Sequence, residues 1–281
     1  MRNNNVTVFL EVFNEEHRLE ACLKNFQWAD ELVVFVKKST DQTYNIAKKF
    51  ATHVYEVDYC NASENFASNV KAHPSKEWCL FITASSLMDP ELSTEITKLT
   101  QDVNFSSDVI GLPYTMYVLG VAGQCSPWGA SYKYSLIRRS ALCLTDVLHK
   151  EIGWSGNNIH TINSSSTVGR FYHCTHANPD ESFLRNMRYV EYEAKYYCEA
   201  YGDKAFRIAV IDFLRSIGSV TLKKRSIWRG RDGFALSLAY ISYFLMRMIY
   251  VWYKTRTYGD VYKGLRDSSV EKWSRYFNID K

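Results

Sequence analysis

Apolar and polar positions alternate between two rhythms along the first hundred residues. Val6 to Val12 is a short apolar run rich in β-branched residues, and beyond the polar stretch Asn14-Glu15-Glu16 the positions Leu19, Cys22, Leu23 and Phe26 fall at helical spacing. Glu31 to Val36 is a near-continuous apolar strand of the kind found in the middle of parallel sheets. Ser39-Thr40-Asp41-Gln42 then reads as a capping box for a helix through Ile46, Ala47 and Phe50. The unit repeats: a strand at Val54 to Val57, a short helix at Asn65 to Lys71, a strand at Trp78 to Thr83, and a helix carrying Leu92, Ile96 and Leu99 capped by Asp89-Pro90. Strands joined by helical crossovers predict an α/β fold with a mostly parallel, Rossmann-type sheet flanked by helices, whose ligand site lies beyond the carboxyl ends of the strands. The loops 11–16, 37–41 and 83–89 would share that rim.

After Asp108 the pattern changes. Val109 to Val118 and Tyr132 to Arg138 read as antiparallel strands around the loop Gly120 to Gly129. A helix is signalled at Asn178-Pro179-Asp180-Glu181 by an N-cap, a first-turn proline and a capping-box glutamate. It places Phe183, Met187, Val190, Ala194 and Tyr197 on one stripe and stops near Gly202. We therefore expect an α/β domain over 1–176, divided into 1–107 and 108–176 by the change of pattern, and a helical C-terminal extension over 177–281. No internal repeat interrupts this order.

The chain has 281 residues and 46% hydrophobic composition, which exclude a disordered protein. A formal net charge of +4 with interspersed signs gives no reason to expect nucleic acid as a partner. Seven scattered cysteines without a C-x-x-C pair, and an N-terminus leading straight into a strand, point to a reducing, cytoplasmic setting.

The order of Val6 to Glu16, Trp28 to Val34, Ser39-Thr40-Asp41, Ile46 to Phe50 and Asn65-Phe66-Ala67 resembles the family 2 glycosyltransferases of GT-A fold, in particular the bacterial subgroup acting on lipopolysaccharide core or capsule. The resemblance extends to Phe171-Tyr172-His173, the helix from Asn178 to Tyr197 and Gly230 to Phe234. It implies a GT-A-like fold, a nucleotide-sugar donor, and a surface-glycan or lipid-linked acceptor. The departures carry as much information. Where the family has a base-reading Asp at the end of the second strand this chain has Val36, followed by Lys37 and Lys38. Where the metal-gripping Asp-x-Asp is expected it has Thr83-Ala84-Ser85, and Ser63-Glu64 stands where an Arg is common. Hydroxyls are poor ligands for a hard divalent cation, so no metal cofactor is expected at that position.

The resemblance places Glu11, Asn14, Glu15, Lys37, Lys38, Asp41, Asn65, Thr83, Ser85 and His173 on the donor side. Lys37 and Lys38 would offset diphosphate charge or stand as a solvated loop; Arg138, Arg139 and Arg170 are further candidates. For the general base it points to Asp146 to Glu151, with Glu151 first, His149 second and Asp146 third. His173-Cys174-Thr175-His176 lacks the partners a zinc site needs. The alternative in another class is an inactive relative that binds a glycan or scaffolds polysaccharide assembly.

Near the C-terminus Lys223-Lys224-Arg225, Arg229 and Arg231 precede the apolar and aromatic run Phe234 to Tyr253, interrupted by Arg247. A charge in mid-run argues against crossing a bilayer. The region 223–253 is expected to lie on an anionic membrane surface, peripheral to the inner face of the cytoplasmic membrane. The alternative is a buried helix or a homodimer surface.

Overall fold

The computed structural model describes residues 4–58, 66–144, 152–165, 167–256 and 261–276. The N-terminal half alternates as expected: β1 (Val6–Val12), α1 (Glu16–Asn25), β2 (Glu31–Lys37), α2 (Thr43–Phe50), β3 (His53–Val57), α3 (Phe66–Ala72), β4 (Trp78–Phe81), β5 (Ser86–Met88) and α4 (Pro90–Gln101). There follow β6 (Val109–Val118), β7 (Tyr132–Arg138), β8 (Leu142–Leu144), β9 (Ile152–Trp154), β10 (Ile159–Thr161) and β11 (Phe171–Thr175). The chain then turns helical: α5 (Pro179–Tyr201), α6 (Ala205–Gly218), α7 (Gly230–Lys254) and α8 (Val261–Tyr276).

The strands form one mixed sheet in the order β3-β2-β1-β4-β7-β6-β11-β5, with β10 beside the start of β6, while β8 and β9 make a small ribbon. β1 pairs parallel with β2 and β4; β7 is antiparallel to both β4 and β6. β11 runs parallel to β6, so the carboxyl ends of β1, β2, β4, β6 and β11 open onto one rim. Alternation along β1 sends Val6, Val8, Leu10 and Val12 to a core shared with α1, α2 and α4, and Phe9 to a second core with Phe66 and Val70 of α3. Large apolar side chains, Trp78 and Phe26 among them, are fully buried. Each contributes roughly 1.5–3 kcal/mol relative to exposure.

The expected elements are present, but three local expectations are corrected. The Ser39 to Gln42 capping box does not form, because Ser39 and Thr40 bond across to Asn14. Asp89 precedes α4 without capping it; its Oδ2 accepts from the Arg170 N–H and the Tyr172 hydroxyl, tying β11 to the helix start. The α5 stripe begins later than its periodicity suggests, since Phe183 is 62% exposed while Val190 and Ala194 are buried. The α5 cap itself forms as read: Asn178 Oδ1 accepts from the Glu181 N–H at 2.8 Å and Glu181 returns to the Ala177 N–H.

The helices α5, α6 and α7 close a small core of Ala194, Ala205, Ala209 and Val251. By length and composition α7 could cross a bilayer. Its Arg247, however, is buried and pairs with Glu193 of α5 at 2.8 Å and Asp212 of α6 at 3.2 Å. The guanidinium also lies over the rings of Tyr197 and Phe244. A charge tied to two neighbouring helices fixes α7 within the bundle.

Candidate functional site

The rim is built from short turns that cross-brace one another. Leaving β1, the chain takes a left-handed conformation at Asn14, whose carboxamide oxygen accepts from the Thr40 N–H at 2.9 Å. The Glu15 N–H donates to Thr43 Oγ1, the Glu16 N–H to Asp41 Oδ2, and Glu16 accepts from the Gln42 N–H. Asn14-Glu15-Glu16 and Ser39 to Thr43 thus form a clasp over the ends of β1 and β2. Among the residues singled out from sequence, Glu11, Asn14, Glu15, Lys37 and Asp41 are brought together here.

Both lysines of the pair carry carboxylate partners: Lys37 Nζ lies 2.6 Å from Glu11, and Lys38 pairs with Asp58 at the surface. Their charge is largely matched within the protein. Arg138 stacks on Trp78 and pairs with Glu77 at the amino end of β4, on the far edge from the rim, and Arg139 bonds to His73 O there. Arg170 is consumed by Thr115, Ser164 and Tyr114 O. None of these three arginines reaches the rim as a free cation. Val36 is buried in the core, as its place at the end of a central strand requires.

The turn after β4 is a hydroxyl knot. Thr83 Oγ1 lies 2.9 Å from Ser85 Oγ and 3.2 Å from Ser86 Oγ, and the Thr83 N–H donates to Ser86 Oγ. Ser85 O accepts from the Cys174 N–H, so the turn is stitched to β11, and His173 stands opposite Ser86 in the register. Among the described residues no three His, Cys, Asp or Glu side chains converge to hold a metal. The hydroxyls here are engaged with one another, and the donor set does not fit a hard divalent cation.

Three cations at the rim were not singled out from sequence. Arg18 of α1 donates to Glu15 and lies 3.1 Å from Glu181; Arg185 of α5 lies 2.8 Å from Glu181 and 3.7 Å from Glu15. This two-arginine, two-glutamate cluster joins the helical region to the sheet. The third is Lys133, near the rim end of β7. Its ammonium sits over the rings of Tyr114 and Phe171, at 5.7 and 5.2 Å, and among the described residues no carboxylate pairs with it. Burial pulls its pKa down to about 8.

His173 follows Phe171 on the same face of β11. Burial, with the nearby charges of Lys133, Arg185 and Arg18, pushes its imidazole down to about 3, so it is neutral at physiological pH. His176, in a left-handed conformation at the entry to α5, is lowered for the same reasons. The rim therefore gathers a half-buried amine, two imidazoles and a hydroxyl turn, while its carboxylates Glu11, Glu15 and Glu181 are engaged by Lys37, Arg18 and Arg185. Asn65, Asp146, His149 and Glu151 lie outside the described residues.

Comparison with known proteins adds likenesses of low similarity. No protein-family model and no curated protein matches the chain. The crystal structure of glucosyl-3-phosphoglycerate synthase from Mycobacterium tuberculosis with Mn²⁺, UDP and glucosyl-3-phosphoglycerate is 17% identical, with a TM-score of 0.30, over 40% of this chain. This chain spans 44% of that protein's length. S. aureus TarS 1-349 is 12% identical, with a TM-score of 0.43, over 88% of this chain and 82% of its own.

Proposed function

We propose that this chain is a glycosyltransferase that moves a sugar from a nucleotide-linked donor to a bacterial surface-glycan or lipid-linked acceptor, neutralising the departing diphosphate with protein cations rather than an Asp-x-Asp-bound ion. The observation that carries this reading is Lys133, a half-buried ammonium that pairs with no carboxylate among the described residues, beside neutral His173 and near the hydroxyl turn that stands in place of the metal ligands. The ordered resemblance of the first 67 residues to family 2 supplies the reaction class.

In that reaction the acceptor oxygen attacks the sugar's anomeric carbon while the bond from that carbon to the diphosphate oxygen breaks, its electron pair leaving with the nucleotide. Lys133, mostly protonated at neutral pH and held so by the anion, offsets the charge that develops on the leaving group. The acceptor proton passes to a carboxylate, for which Glu151 is the first candidate. The clasp of Asn14 and Thr40 frames the donor side, and His173 contributes a neutral donor to the phosphates.

A lipid-linked acceptor is reached at a membrane surface. The exposed apolar side chains of α7 and the basic residues before it support peripheral attachment to the cytoplasmic leaflet.

A thermal-shift screen of nucleoside diphosphates and nucleotide sugars, with EDTA and with Mn²⁺, tests the donor assignment. Stabilisation by at least one donor in EDTA is expected. Stabilisation only in Mn²⁺ contradicts metal-independent donor handling, and none under either condition contradicts the donor assignment. Binding without turnover on any glycan acceptor would favour a scaffold.

A further inference from the structure

Between α6 and α7 the chain makes a tight hinge, a π-turn over Ser219–Lys223 followed by a 3-10 turn over Ser226–Trp228. It is rigidly held. Ser226 Oγ meets Ser237 Oγ at 2.9 Å in a buried contact, and a Cβ at Gly233 would run into the Ser226 carbonyl oxygen, so only glycine lets α7 start this close. Lys224 donates to Pro127 O and Arg229 to Gln124, which anchors the hinge to the loop between β6 and β7 on the acceptor side.

What the hinge presents outward is unusual for a water-facing turn. Leu222 is 77% exposed and Trp228 73%, on either side of an open hollow of about 560 Å³ lined by Thr221, Leu222, Arg225, Trp228 and Arg229. The Trp228 indole N–H is already satisfied by Thr221 O, so its ring offers solvent an apolar surface. Arg225 projects from a left-handed backbone and has no ion pair among the described residues. From Ser219 to Phe234 the chain carries Lys223, Lys224, Arg225, Arg229 and Arg231 against the single acid Asp232.

α7, which follows the hinge, carries an exposed apolar face of its own. Phe234, Leu238, Leu245, Ile249 and Trp252 are all exposed, and their spacing puts them on one face of the helix, opposite buried Leu236, Arg247 and Val251. The stripe runs about 27 Å at 1.5 Å per residue. Trp228 and Trp252 stand near its two ends, the side chain favoured where hydrocarbon meets headgroups.

Resting on the peripheral-membrane reading above, we propose that the hinge is an anionic-phospholipid site: Leu222 and Trp228 insert among the acyl chains, Arg225 and Arg229 hold headgroup phosphate, and α7 lies in the membrane plane with its apolar stripe down. Charge complementarity commits this face to an anionic bilayer, since an apolar protein partner would leave the hinge cations unmatched. The contacts of Lys224 and Arg229 with the 124–127 loop then set the acceptor side of the rim at the headgroup level.

The test is vesicle co-sedimentation of the full chain and its variants, using phosphatidylcholine vesicles with and without one part in three phosphatidylglycerol. Wild type is expected to bind the anionic vesicles, less so at high salt. Leu222→Asp and Arg225→Glu, both at exposed positions, should each weaken binding at least tenfold with unchanged circular dichroism. Brominated acyl chains should quench wild-type emission more than that of Trp228→Phe. If wild type binds and both charge-changing variants bind equally well, the hinge is not the site, although membrane attachment stands. Failure of wild type to bind removes the membrane reading itself. Variants that bind vesicles normally but convert a dimer to a monomer would make this face a subunit interface.

Discussion

Two cations packed over aromatic rings, one in each half of the molecule, are treated in opposite ways. Arg247 sits between α5, α6 and α7 with two carboxylates and two aromatic rings. Burial alone would lower its pKa, and Glu193, with Tyr197 and Asp212, more than reverses this. Lys133 is half-buried against the rings of Tyr114 and Phe171, pairs with no carboxylate among the described residues, and its pKa falls because burial disfavours the charge. A charge held between two carboxylates is architecture, whereas one that no described carboxylate matches, beside an open rim, is where we propose that a negative ligand binds.

The largest expected effect is at the matched cation. Arg247→Met strands Glu193 and Asp212 and should cost about 3–5 kcal/mol in urea unfolding; an unchanged midpoint would remove the distinction. Lys133→Met should leave that midpoint unchanged or raised, because methionine fills the same volume without a desolvated charge, while weakening UDP binding at least tenfold.

The pH dependence sharpens the contrast. His173 has a folded pKa near 3 against an ordinary 6.5, so the unfolded chain binds the extra proton first. Its contribution to stability is complete above about 6.5 and is lost as pH falls towards 3; His173→Gln should flatten that part of the profile. For Lys133 the unfolded amine, near 10.5, holds its proton longer than the folded one near 8, so stability rises with pH across that window. Diphosphate affinity has the opposite sign, falling about tenfold per unit above pH 8 in wild type and staying flat in Lys133→Met. The smallest effect is at the hydroxyl turn, where Thr83→Ala should cost about 1 kcal/mol of stability and change UDP binding less than the Lys133 variant does.

Much of the fold was legible because its parallel strands are continuous apolar runs and its helices carry clear periodicity. Val6 to Val12 and Glu31 to Lys37 could hardly be read otherwise. The site was legible only in its frame: the Asn14 clasp, the missing acids at Thr83 to Ser85, and His173. Lys133 was hidden by a register change. Between Ile110/Leu136 and Leu112/Lys133, β7 spends one residue more than β6, and this bulge turns Lys133 to the face of Leu112 and Tyr114. Simple alternation from Ile137 would have put it on the other face. Arg18 and Arg185 could be read as local helix pairs with Glu15 and Glu181, but their convergence depends on α5 docking against α1. The lysines that sequence favoured, Lys37 and Lys38, found their own carboxylates.

The central claim is that Lys133 stands in for a metal at the donor diphosphate. Calorimetric titration of UDP into wild type and Lys133→Met, each in EDTA and in Mn²⁺, tests it directly. The account predicts equal wild-type affinity in both buffers and a loss of at least tenfold in the variant. Binding that requires Mn²⁺ and is indifferent to Lys133 would contradict it.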